Sequence, residues 1–105
     1  MKNKIYRQGD VLIERIPKLP SKLTKQEPEN GRIVLAHGEV TGHSHTLDID
    51  AADWWKDDKG GQYLDVVSPT EVVHQEHGAI ALTPGIYRVL RQREYSPEAI
   101  RNVAD

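Results

Sequence analysis

The chain has 105 residues, a formal net charge of −2 and 37% hydrophobic residues, which suffices for one core and a single domain, 1–105, but not for two. That charge balance, with a pI near 6.2, supplies no basic face for nucleic acid. The absence of cysteine removes disulfides and thiolate metal sites, so any metal must be held by nitrogen and oxygen.

In chain order, the charged start Met1 to Arg7 is not followed by the apolar run of a signal peptide. No stretch approaches the roughly 18 apolar residues of a membrane span. The expectation is a cytoplasmic protein with no membrane partner. Gln8-Gly9-Asp10 reads as a turn opening a strand from Val11 to Ile16, with Val11 and Ile13 on one face, and Pro17 and Pro20 end it. The polar stretch 18–30 reads as a surface loop. Arg32 to His37 is a nearly continuous apolar run, the pattern of a strand buried on both faces. Gly38 to Gly42 reads as a bend. Beyond it His43, His45, Leu47 and Ile49 alternate onto one face, away from Ser44, Thr46, Asp48 and Asp50.

Trp54 and Trp55, adjacent on an extended segment, must point to opposite sides. One would plug the core, and the other would stay partly exposed or lie over a ligand. Asp57 to Gly61 is a turn signal without the spacing of a calcium loop. Tyr63–Val67, Val72–His74, Ala79–Leu82 and Ile86–Arg91 read as short strands, with Pro84-Gly85 expected in a type II turn. Ser96 as N-cap and Pro97 at the first helical position predict a C-terminal helix over 97–104. The fold expected from this pattern is all-β: a small barrel or sandwich with a short C-terminal helix.

The candidate chemistry lies in the histidines. His43 and His45, two apart on a strand, project from one face, and His74 and His77 follow about thirty residues later. Imidazole is the commonest neutral metal ligand, so these four form the predicted metal set. His37 is in phase with Ile33 and Leu35, and Glu39 and Glu76 are candidate acid–base groups or partners that hold a histidine tautomer. Zinc, nickel, manganese and iron are not distinguishable from such residues. Arg88, Arg91 and Arg93 could clamp an anion or simply pair with nearby acids. No Gly-x-Ser-x-Gly, phosphate-binding glycine loop or His-Glu-x-x-His occurs.

The stretch Gly38 to Asp50 resembles the first cupin motif, a glycine before a His-x-His pair and a following carboxylate. Gly78 to Gly85 resembles the start of the second. The resemblance implies a β-barrel holding a divalent metal through His43 and His45, with Asp50 standing where the family has glutamate. The family's later histidine has no counterpart, so His74 or His77 would replace it. The function expected is a metal-dependent enzyme acting by hydrolysis or isomerisation on a small anionic substrate. The alternative is a non-catalytic metal- or ligand-binding module, of the kind found as a phage accessory or oligomer subunit. A small molecule is thus the expected partner, nucleic acid is not expected, and a homo-oligomer is left open.

Overall fold

The computed structural model describes residues 4–37, 44–75 and 77–91, and of His37 only the backbone. The chain opens with a hairpin of β1 (Ile5–Gln8) and β2 (Val11–Ile16), in which Gln8 pairs with Val11 and only Gly9 and Asp10 form the loop. A two-residue hairpin loop matches the twist of its strands when the first corner has positive φ, and Gly9 supplies φ +59°. The later strands β3 (Thr24–Lys25), β6 (Ala52–Lys56), β7 (Gln62–Val66) and β10 (Gly85–Arg91) join this hairpin. Together they make a six-stranded antiparallel sheet in the order β1-β2-β10-β7-β6-β3. β3 lies within the stretch 18–30 and pairs Thr24 with Lys56 and Lys25 with Trp55.

Two ribbons complete the fold: β4 (Arg32–His37) with β5 (Ser44–Asp48), and β8 (Thr70–Val72) with β9 (Ile80–Leu82). They are tied together by reciprocal backbone bonds, Thr46 N to Val73 O at 3.0 Å and Val73 N to Thr46 O at 2.8 Å. Alternation decides what faces inward. Val11 and Ile13 of β2, Tyr87 and Val89 of β10, Leu64 and Val66 of β7, and Trp54 of β6 meet Ile33, Leu35 and Leu47 of one ribbon and Val72, Ile80 and Leu82 of the other in a single core. Tyr87 is fully buried, and its hydroxyl donates to Thr83 O at 2.6 Å. Trp54 is buried and donates through Nε1 to Gln62 Oε1 at 2.9 Å, whereas Trp55 is half-buried on the opposite face.

Three expectations about the architecture need correction. The described residues are mostly β-strand, but the sheet closes into neither a barrel nor a sandwich: it ends at β1 on one side and β3 on the other, and the ribbons form separate two-stranded sheets. Alternation reports which face of a strand is buried and carries no information on whether edge strands meet. The only helical turn among the described residues is a 3-10 turn, Ile49–Ala51, which breaks the alternation after Asp48. The stretch 97–104, expected to be a helix, lies outside the described residues. Gly85 has φ +157°, far from the second corner of a type II turn, and instead begins β10 with the Arg15 guanidinium packed where a side chain would stand.

Candidate functional site

The polar centre of the molecule starts from Gln8. In β1, Tyr6 and Gln8 face Ile13 and Val11 across the hairpin, which puts the Gln8 amide on the core side. A buried amide must satisfy both of its ends. Gln8, 2% exposed, donates from Nε2 to the carbonyls of Val72 at 3.0 Å and Gly78 at 2.9 Å. Its Oε1 is thereby left to accept from His45 Nδ1 at 2.8 Å. The network therefore assigns the His45 proton to Nδ1 and the lone pair to Nε2. Burial, followed by the proximity of His74, lowers the His45 pKa from 6.5 to about 4, although Asp10 acts in the opposite direction.

Asp10, at the hairpin corner, has Oδ1 3.9 Å from His45 Nε2, too far for a hydrogen bond. Its Oδ2 accepts from Arg91 Nε at 3.0 Å and Nη2 at 2.7 Å. Partial burial pushes the Asp10 carboxyl up, but the Arg91 hydrogen bond and charge outweigh this and leave it below the usual aspartate value.

His74 and His77 reach the same place from the segment after β8. The ring centres of His45 and His74 are 4.4 Å apart, those of His74 and His77 4.7 Å, and those of His45 and His77 6.2 Å with planes only 9° apart. His45 is buried, His74 half-buried and His77 exposed, so the cluster runs from the core to the surface. Gln75 anchors this segment by accepting from Ser44 N at 2.9 Å. His77 lies over the hairpin corner, where a Cβ on Gly9 would come within 2.8 Å of its Nε2.

These rings pack together with His45 and His77 nearly parallel and His74 tilted by 37° and 42° to them. A ligand set instead needs lone pairs aimed at one point about 2 Å from each nitrogen. Among the described residues no group of three or more His, Cys, Asp or Glu side chains could hold a metal ion. The divalent metal expected on His43, His45, His74 and His77, of which the last three are described, is thus overturned, and with it the metal-dependent enzyme and the metal-binding module. No catalytic constellation is present among the described residues. His43, Glu39 and Glu76 lie outside them, as does the side chain of His37. Asp50 is exposed in the 3-10 turn, its backbone N–H donating to Asp48 Oδ1 at 2.9 Å.

A second feature begins at Arg91. β10 outruns β7: Val89 is its last partner there, opposite Gln62, while Leu90 and Arg91 continue along β2 alone. The turn after β6 borders the resulting gap. Asp57 organises that turn, its Oδ1 accepting from Lys59 N at 2.9 Å and Gly61 N at 2.7 Å, while Gly60 takes φ +85°. Between turn and strand lies a groove of about 350 Å³, lined by Lys59, Tyr63, Arg88, Leu90 and Arg91 among others. Three of its ionisable side chains are cations, and the one carboxylate, Asp57, is bound into its own turn. Arg88 pairs with Glu14, with Nε 3.1 Å from Oε1. Partial burial, followed by the Asp57 charge, raises the Tyr63 pKa, so its phenol is neutral at physiological pH.

Neither Gln8 nor Asp10 is a residue that motif reading selects. The one sequence signal was a glutamine in phase with the inward face of β1, since a polar side chain at such a position needs buried partners. Tyr63 and Lys59 carried no signal, because the groove arises from unequal strand lengths.

Fold and site together define an open antiparallel β-sheet domain, covered by two ribbons, with a cation-lined groove at one strand end. The chain belongs to the DUF8820 family, a domain of unknown function, whose model matches residues 7–92. No curated protein and no solved structure matches it. The cupin resemblance is therefore withdrawn: the family match is a different one, and the sheet is not a barrel. Among the described residues no helix is long and apolar enough to cross a membrane.

Proposed function

We propose that the protein binds a small anionic molecule in the groove between the Asp57–Gly61 turn and the end of β10, without metal and without covalent chemistry. The observation that carries this reading is the groove's charge: Lys59, Arg88 and Arg91 line it, while Asp57 is turned into its own loop. Its volume, about 350 Å³, is at the lower end of small-molecule sites. An incoming carboxylate or phosphate would compete with Glu14 and Asp10 for the two guanidiniums, exchanging one set of charge-assisted hydrogen bonds for another. Affinity from this source alone is modest and falls with salt.

The test is an NMR titration with inorganic phosphate at low ionic strength, following the backbone amides of Gly60, Gly61 and Tyr63. Saturable shifts in the millimolar range are expected. Lys59→Glu, an exposed change in a turn held by Asp57 rather than by the lysine side chain, should weaken binding about tenfold. Shifts that do not saturate, or that Lys59→Glu leaves unchanged, would remove the groove as the site.

A further inference from the structure

We infer that the anion bound in the groove carries a flat ring, joined to its charged group as a nucleobase is joined to phosphate in a nucleotide; this rests on the groove being the binding site. On the face of the sheet opposite the core, strand register sets residues from five neighbouring strands in one row. Lys25 pairs with Trp55, Trp55 with Tyr63, Tyr63 with Arg88, and Arg88 with Glu14. The row thus passes from a cation through two aromatic residues to a second cation. Its Tyr63–Arg88 step is part of the groove wall.

The chemistry along the row is graded. At the Arg88 end, Lys59 adds positive charge. Toward the other end, Tyr63 and Trp55 are both half-buried, and Lys25 Nζ sits 6.0 Å from the Trp55 ring centre and 3.4 Å from Asp53 Oδ1. Between the groove and the Lys25–Asp53 pair the row is aromatic. Adjacent strands lie about 4.8 Å apart, so Trp55 to Arg88 spans about 10 Å. A phosphate at Arg88 and Lys59 would leave a ring attached through a sugar within reach of Tyr63. Anions without a ring would leave that aromatic surface in water. Stacking on an aromatic side chain tolerates any base, because each has a π-face. Recognition of this kind therefore selects the class of ligand and not one base.

The test compares three probes on the wild-type protein: adenosine 5′-monophosphate, ribose 5-phosphate and inorganic phosphate. The nucleotide is expected to bind about tenfold more tightly than ribose 5-phosphate, with shifts extending from Gly61 to the Trp55 indole. Tyr63→Leu should erase that preference, and Tyr63→Phe, which keeps the ring, should retain it. Equal affinity for nucleotide and sugar phosphate, with groove amides still shifting, would overturn the ring subsite and leave the anion groove standing. A preference that survives in Tyr63→Leu would overturn it as well. No saturable shifts from any of the three would bring down the groove reading and this inference together. The wild-type comparison decides the matter if the leucine variant does not fold.

Discussion

At the scale of single residues, Gln8 does more than its exposure on a sequence suggests. One amide joins three elements: it belongs to β1, bonds the backbone at both ends of the segment from Val72 to Gly78, and orients His45 of β5. Replacement by an apolar residue of similar size takes a donor from the carbonyls of Val72 and Gly78 and leaves the buried His45 N–H without its acceptor. Unsatisfied buried groups cost roughly 1–3 kcal/mol each before relaxation. Gln8→Leu is therefore expected to lower stability by about 3 kcal/mol, measured as a shift in the urea midpoint at pH 7.5 with unchanged slope. A loss below about 0.5 kcal/mol would mean that the network contributes little. The histidines were readable as metal-binding by type and spacing, but whether rings from β5 and from the segment after β8 converge on one point depends on packing between distant segments.

At the scale of elements, the β1–β2 corner is held by two independent constraints on Gly9. Its φ of +59° disfavours any side chain, and the His77 ring occupies the space a Cβ would need. Gly31 offers the comparison: its φ is +77°, and nothing lies within 4 Å of a Cβ there. Gly31→Ala should cost about 1 kcal/mol from backbone strain alone. Gly9→Ala should cost at least about 1 kcal/mol more and displace His77, seen as a change in its imidazole proton shifts. Equal costs at the two positions would show that His77 does not press on the corner. The turn at Gln8-Gly9-Asp10 and the strand after it were legible from local chemistry, since a glycine at a hairpin corner follows from its backbone alone. That His77 sits on that corner was not legible, because nearly seventy residues separate them.

At the scale of the whole molecule, the buried His45 couples folding to pH. The sign follows from where protons bind: His45 holds its proton with a pKa near 6.5 when unfolded and about 4 when folded. Stability from keeping it neutral is complete above about pH 6.5 and is lost as pH falls toward 4. Between pH 7.5 and 4.5 this amounts to about 2–3 kcal/mol. Asp10, held below its ordinary value of 3.8 by Arg91, adds its own loss only in more acid solution. Urea midpoints at the two pH values should therefore differ for the natural protein and converge for His45→Gln, which keeps a donor for Gln8 Oε1. An equal drop in both would place the acid sensitivity elsewhere.

The sequence by itself determined what is local: the β character of most segments, the proline and glycine boundaries, the inward phase of His45 with Leu47, and the opposed directions of Trp54 and Trp55. Those follow from side-chain period and backbone restriction, which act over a few residues. Tertiary structure alone decided that the sheet stays open, that three imidazoles cluster without forming a metal-holding group among the described residues, and that β10 outruns β7 to leave a groove. Each of these depends on which strands pair and in what register, and pairing is settled by contacts between residues far apart in the chain, on which local periodicity is silent.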